Sequence, residues 1–275
     1  MYSSYLSAAG EIAREAGALL VRYFERRVAV EYKADFDVVT EADRASERLI
    51  VERLRARYPG HSIVAEEGAG VELASEFTWY VDPLDGTTNF AHGFPVFCVT
   101  LALEQAGEVV AGVVYDPLRE EFFAAEKGAG AYLNNRRIHV SRVNRLAESL
   151  LATGFPSHKR HADVNVYFFH QTSMLSHGVR RAGSAALDLS YVACGRLDGF
   201  WEFRLNPWDL AAGVLLIGEA GGRSTDMHGA PHQLKGVETA ASNVLIHDEM
   251  IGLFADVFAG HYRTPIPGLS PIPAR

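Results

Sequence analysis

The run Trp79-Tyr80-Val81-Asp82-Pro83-Leu84-Asp85-Gly86-Thr87-Thr88-Asn89-Phe90 is an apolar strand that ends in two carboxylates three residues apart. Pro83 holds φ and stiffens the turn between them. Asp82 and Asp85 can then converge, with the Leu84 carbonyl as a third oxygen. All-oxygen ligation of this kind suits Mg²⁺, which takes carboxylates, water and substrate phosphate. Gly86 lets the backbone approach a ligand closely. The amides of Gly86, Thr87 and Thr88 point at an anion if they open a helix. Carboxylates for a metal followed at once by donors for phosphate are the parts of a phosphoryl-transfer site. An Asp-Pro or Asp-Gly turn alone is commonplace, but the whole run is too particular for that account.

Outward from this run the chain is mixed. Upstream, Leu6–Phe24 carries apolar residues at helix spacing, and Asp43–Tyr58 does so again until Pro59-Gly60 stops it. Lys33–Thr40 breaks the pattern and is predicted as a loop, and Ser62–Ala65 as a short strand. Downstream, Val96–Leu103, Glu108–Tyr115 and Glu121–Ala125 read as strands of an antiparallel meander, with turns at Gln105-Ala106-Gly107, Gly128, Gly130 and Asn134-Asn135. The second half alternates. Strands are predicted at Leu150–Thr153, Val179–Ala182, Gly199–Phe203 and Gly222–Thr225. Helices are predicted at Val164–Leu175, Ser184–Cys194, Pro207–Ala220 and His247–Phe258. The class is mixed α/β (α+β) in layers. Residues 1–145 form a half with the acidic motifs and the meander, and 146–262 an alternating half of the same unit. The proline-rich end, 263–275, is expected to be extended and poorly ordered.

Composition narrows the function. The chain has 275 residues, 48% of them hydrophobic and 11% aromatic, enough for a well-buried core and too apolar for disorder. No apolar run reaches the roughly 18 residues a membrane span needs. The first residues lack the basic-then-apolar pattern of a secretory signal. Cys98 and Cys194 each sit in an apolar segment and read as reduced core thiols, which points to the cytoplasm. The net charge of -8 argues against nucleic-acid binding and permits a carboxylate cluster that needs cations.

Three further acids are candidates, each with a plainer account beside it. Asn206-Pro207-Trp208-Asp209 supplies an N-cap, a first helical proline and an acid in the first turn. The same geometry also aims Asp209 outward, where it could ligate a metal. Glu66 and Glu67 follow the strand Ile63–Ala65, where adjacent acids are commonly just solvated. Asp43 lies near a helix start, where it could simply cap.

In these four places the chain resembles the inositol monophosphatase family. Asp82–Phe90 looks like its first signature and Trp208–Gly222 like its second. Asp37–Asp43 and Glu66-Glu67-Gly68 resemble the two motifs before them, in order, over roughly residues 5–260. The resemblance implies an α/β/α/β/α sandwich of the inositol monophosphatase and fructose-1,6-bisphosphatase type, and a homodimer. It implies that Glu66, Asp82, Asp85, Asp209 and the Leu84 carbonyl hold two or three Mg²⁺. Asp43 and Thr87, with Glu66, would orient or deprotonate the attacking water. The amides of Gly86, Thr87 and Thr88 would bind phosphate. Glu202 would meet substrate hydroxyls, with Asp209 also touching the substrate, and Gly183-Ser184-Ala185 would line its ring. Lys33 falls in the equivalent of a mobile loop and receives no role.

The implied reaction is Mg²⁺-dependent hydrolysis of a small phosphate monoester, myo-inositol 1-phosphate first, by direct in-line attack of water, with lithium inhibition. Fructose 1,6-bisphosphate, 3′-phosphoadenosine 5′-phosphate and histidinol phosphate are alternative substrates within the same chemistry. A different class is a partner of transcription or ribosome-assembly factors, as some bacterial relatives are. The complete set of metal-site acids and the acidic chain put the enzyme first.

Overall fold

The computed structural model describes residues 3–26, 30–34, 37–155 and 163–266, with the side chains of 30–39 outside that description. Helix α1 (Ser4–Arg26) buries Leu6, Ala9, Ile12, Ala13, Ala16 and Leu20, the stripe that a 3.6-residue period lays on one face. Strands β1 (Val30–Ala34) and β2 (Asp37–Thr40) pair antiparallel as a two-stranded sheet. The loop expected over Lys33–Thr40 is therefore a hairpin. Val30, Tyr32, Val38 and Val39 favour strand, and the charges among them hid the pattern. The side chain of Lys33 lies outside the described residues. Helix α2 (Glu41–Arg57) begins two residues before the expected Asp43, because the Thr40 hydroxyl accepts from the Ala42 amide at 3.1 Å and caps it.

The larger sheet runs β3 (Ser62–Ala65), β4 (Phe77–Asp85), β5 (Cys98–Gln105), β6 (Glu108–Asp116), β7 (Glu121–Glu126), β8 (Gly130–Leu133) and β9 (Arg136–Arg137), in chain order. Only β3–β4 is parallel. The meander is as expected, and Asn134 and Asn135, with φ of 47° and 64°, make the tight turn into β9. Strand β4 does not stop at Val81. It continues to Asp85 through a bulge, with Asp82 opposite Thr100 and Asp85 opposite Cys98. Three residues on β4 thus match two on β5. Residues three apart on a regular strand face opposite sides, and the extra residue returns Asp82 and Asp85 to the same one. Pro83, which cannot donate to a ladder, sits in that bulge. A short helix, α3 (Thr87–Ala91), follows.

The second sheet has five strands. They are β10 (Leu150–Thr153), β11 (Gly178–Arg180), β12 (Gly199–Phe203), β13 (Arg223–Thr225) and β14 (Glu238–Ser242), in the order β11-β10-β12-β14-β13. Strand β14 has no counterpart in the sequence reading. Its sequence Glu-Thr-Ala-Ala-Ser lacks β-branched bulk, yet Ala240 and Ala241 are fully buried, one toward each side of the sheet. Four helices complete the chain: α4 (Asn165–Leu175), α5 (Ala185–Ala193), α6 (Pro207–Glu219) and α7 (His247–Phe258). At the chain end, Thr264 exchanges two hydrogen bonds with the Gln171 side chain, at 2.6 and 2.9 Å. The rest of the proline-rich end, 267–275, lies outside the described residues.

Three apolar cores give the layer order. Helices α1 and α2 pack on one face of the large sheet around Trp79, Val81 and Leu101. On its other face α5 and α6 fill the space to the second sheet around Leu189, Leu210 and Phe200. Helices α4 and α7 cover the far side around Trp201 and Phe254. The result is the α/β/α/β/α sandwich. Among the described residues no helix is long and apolar enough to cross a membrane.

Contact between the large sheet and α6 is close at Gly112 on β6, where an added Cβ would lie 2.9 Å from the Ala212 Cα. Gly112→Val should therefore destabilise the protein by about 1–3 kcal/mol or more, since overpacking forces backbone to move. The check is the urea midpoint, with Gly60→Ala as control. A Cβ at Gly60 meets nothing within 4 Å, so that variant should stay within about 0.5 kcal/mol of wild type.

Candidate active site

The bulged end of β4 lies where several element ends meet. Glu66 follows β3, and its amide bonds the Val81 carbonyl at 3.2 Å, which keeps it beside β4. Glu202 comes from β12, Asp209 from the first turn of α6 and Ser184 from the cap of α5. Together they wall a cavity of about 200 Å³. Of the residues singled out in the sequence, Glu66, Asp85, Gly86, Thr87, Thr88, Gly183, Ser184, Ala185, Glu202 and Asp209 all line it. Asp82, Leu84 and Asp43 lie beneath the wall, buried.

Each acid is held by its own hydrogen bonds. Asp82 Oδ1 accepts from the Leu84 amide at 2.9 Å across the bulge. Asp85 Oδ2 accepts from the Ser184 hydroxyl at 2.7 Å and the Ala186 amide at 2.8 Å, so α5 on the next layer grips it. Asp209 Oδ2 accepts from the Asn206 amide at 2.7 Å. The capping account of Asp209 is thus realised, and so is its place in the cavity wall. Asp43 caps too, with Oδ2 accepting from the Thr40 amide at 2.7 Å and hydroxyl at 2.5 Å. Its other oxygen is 2.9 Å from Thr87 Oγ1, which is also 3.0 Å from the Leu84 carbonyl.

The backbone is shaped to fit. Gly86, at φ 101°, starts α3 in a left-handed conformation, and a Cβ there would come within 2.8 Å of the Val96 carbonyl. The amides after it do open a helix. A Cβ at Gly154 would strike the Glu202 carboxylate. The Ser46 hydroxyl donates to the Pro83 carbonyl at 2.9 Å and ties the bulge to α2. Glu47 accepts from the Glu67 and Ala69 amides at 2.6 and 2.8 Å, fixing the loop that carries Glu66. Asn89 spans two layers, donating to Val96 at 2.8 Å and Ala182 at 2.9 Å.

Comparison with known proteins accords with this geometry. Residues 1–258 match the model of the inositol monophosphatase family. The chain belongs to that family. It is 42% identical over 254 residues to an inositol-1-monophosphatase of Mesorhizobium japonicum, covering 90% of this chain and 95% of that one. It is 46% identical over 246 residues to the Nus factor SuhB of Pseudomonas aeruginosa, covering 86% and 91%. Among solved structures, the inositol monophosphatase of Anabaena (Nostoc) sp. superposes with a TM-score of 0.84 at 42% identity, over 92% of this chain and 96% of that one. The extragenic suppressor protein suhB of Bartonella henselae gives 0.88 at 40% identity, over 92% and 98%.

Within this inositol monophosphatase family member the acids strain against one another. Burial, then the charges of Glu66, Asp85 and Asp209, push the Asp82 carboxyl well above its ordinary range. Burial and then Asp85 push Asp209 up to about 7. Burial also raises Asp85, against the hydrogen bonds from Ser184 and Ala186. Asp43 is raised by burial too, opposed by its bonds from Thr40. Among the described residues no group of three or more His, Cys, Asp or Glu side chains is already placed to hold a metal ion. The donor set itself nonetheless fits a hard cation: four carboxylates and a carbonyl, all oxygen, with repulsion to relieve. Both cysteines are free thiols.

Sequence reasoning missed Asp188 and Arg181, which also line the cavity, and the braces Ser46, Glu47 and Asn89. Asp188 left a signal, as the lone acid in the apolar helix Ala-Ala-Leu-Asp-Leu-Ser-Tyr-Val-Ala. The braces left none, because each acts on backbone distant in sequence.

The raised acids make stability depend on pH. Folded Asp209 keeps its proton up to about 7, whereas the unfolded chain releases it at 3.8. The stabilising contribution is full below 3.8 and is lost as pH rises through about 7, because the folded state binds more protons. In EDTA, the melting temperature should fall between about pH 5 and about pH 8. Mg²⁺ replaces those protons, so its stabilising shift should grow over the same interval. Thermal melts with EDTA or Mg²⁺ at both pH values test this, and a Mg²⁺ shift independent of pH would contradict it.

Proposed function

We propose that this chain is a Mg²⁺-dependent phosphatase that hydrolyses a small phosphate monoester, myo-inositol 1-phosphate first, by direct in-line attack of water. The observation that carries the proposal is the convergence of Glu66, Asp85 and Asp209 on one cavity, with Asp82 buried against them, where α3 also starts. Glu66, Asp82, Asp85, Asp209 and the Leu84 carbonyl would hold two or three Mg²⁺. When bound, Mg²⁺ supplies the positive charge that offsets repulsion between carboxylates and phosphate dianion, and it acidifies water.

The chain's own groups have distinct tasks in this reading. The amides of Gly86, Thr87 and Thr88 bind phosphate oxygens at the opening of α3. Thr87 Oγ1 takes the water's proton while passing its own to Asp43 Oδ1, 2.9 Å away. The raised Asp43 carboxyl suits it to accept one. Glu66 orients the water. Gly183, Ser184 and Ala185 line the organic part of the substrate, and Glu202 receives its hydroxyls. A phosphoenzyme is disfavoured because the Ser184 hydroxyl is committed to Asp85 and burial pushes the Cys98 thiol well up. A homodimer, lithium competition for a Mg²⁺ site and operation in the cytoplasm belong to the same proposal, by family membership.

A second reading is favoured by one finding, the 46% identity to a relative named as a Nus factor. In it the chain works as a partner of transcription factors. The two readings differ in what they need from Asp85.

Phosphate release with Mg²⁺ from inositol 1-phosphate, fructose 1,6-bisphosphate, 3′-phosphoadenosine 5′-phosphate and histidinol phosphate tests the proposal. Inositol 1-phosphate should be preferred, and Asp85→Asn should lower kcat about a hundred-fold or more, equivalent to ~3 kcal/mol. Wild type inactive on the whole panel, with no Mg²⁺ effect on melting, would sink the enzyme reading in favour of the partner one.

A further inference from the structure

Asp188 is the acid in the cavity wall to which the reaction above gives no task. It lies one turn inside α5 and is only 2% exposed, yet it lines the cavity. Among the described residues none donates a hydrogen bond to its carboxyl, and its felt neighbours are the charges of Asp85 and Arg181. Glu202, 7% exposed, is likewise without a donor among the described residues, and of the charges acting on it that of Asp188 is felt most. Buried polar groups are nearly always hydrogen-bonded, because an unmet one costs its full desolvation. Two such carboxyls facing one cavity call for donors that arrive with a ligand.

Their placement says which part of the ligand. Ser184 and Asp188 are four residues apart and share a face of α5. Ser184 grips Asp85, at the phosphate end, and Asp188 stands one turn farther along α5, in the same cavity wall as Glu202. Arg181 is the single basic side chain among the described residues that line the cavity. Its charge already opposes those of both acids. Among the described residues, this wall offers no further basic side chain.

We propose that Asp188 is a specificity residue that, beside Glu202, accepts hydrogen bonds from hydroxyls of the substrate. The inference rests on the phosphatase reading. It adds to Glu202 a second acceptor, which fixes the orientation of the polyol as well as its presence.

The test compares inositol 1-phosphate with p-nitrophenyl phosphate, which has the ester but no hydroxyls. Wild type, Asp188→Asn and Asp188→Ala are assayed with saturating Mg²⁺, and turnover of p-nitrophenyl phosphate reports that each variant is folded and loaded. Asp188→Ala should raise KM for inositol 1-phosphate about ten-fold or more, the range of a hydrogen bond to a charged group. Its kcat/KM for p-nitrophenyl phosphate should stay within about two-fold of wild type. Asp188→Asn, which keeps one acceptor, should fall between. An equal loss on both substrates would assign Asp188 a structural role and overturn the proposal. So would no loss on either, or a wild type without preference for the polyol ester. Wild type inactive on both would instead bring down the phosphatase reading and this inference with it.

Discussion

Four carboxylates brought together at one cavity, Asp82 just beneath its wall, repel each other, and the rest of the architecture answers to that repulsion. Among the described residues that line the cavity, Arg181 is the single basic side chain. Burial and this repulsion raise the Asp82 and Asp209 carboxyls, where a proton taken up relieves it in part. A cation could relieve it more fully, which is why an oxygen-only donor set under strain is evidence of what the site is for. The acids stay because each is anchored by a bond that does not depend on the ligand: Asp82 by the bulge amide, Asp85 by Ser184 and Ala186, Asp209 by Asn206.

Those anchors share one device. Asp43 belongs to the cap of α2, Asp209 to the cap of α6, and Asp85 is held by the hydroxyl that caps α5. Helix starts carry unpaired amides and the positive end of the helix dipole. Bringing helix starts to the acids in this way provides donors for the carboxylates and a favourable field for phosphate. It also removes the apparent choice between a capping role and a ligand role for Asp43 and Asp209. The cap fixes one carboxylate oxygen, and the other is left to act.

Much of this was legible in the sequence, for reasons that can be named. The helices over Ser4–Arg26 and Glu41–Arg57 follow from apolar periodicity, and the meander from alternating runs between turn residues. The acids were legible because Asp-Pro-Leu-Asp-Gly-Thr-Thr sets metal and phosphate chemistry side by side. The bulge was not. Nothing local says that β4 continues past Pro83, since the pairing of Asp85 with Cys98 is a property of β5 as well. Strand β14 was missed because its alanines signal burial only once the layers on both sides exist. The β1–β2 hairpin was missed because its charges mask its β-branched residues. Asp188 was overlooked because a single acid in an apolar helix has meaning only when its neighbours across the cavity are known.

The site is therefore a property of two layers and of neither alone. Asp82, Asp85 and Thr87 come from the end of one sheet, and Ser184, Glu202 and Asp209 from the elements of the other. The joints between them are few and specific: Ser184 on Asp85, and Asn89 on the Val96 and Ala182 carbonyls. A cation drawing Asp85 and Asp209 toward a common centre would pull on both layers, adding a third joint where charge had pushed them apart. Ligand binding and the packing of the sheets are then one equilibrium, because the repulsion that opposes closure is the same repulsion that favours the cation.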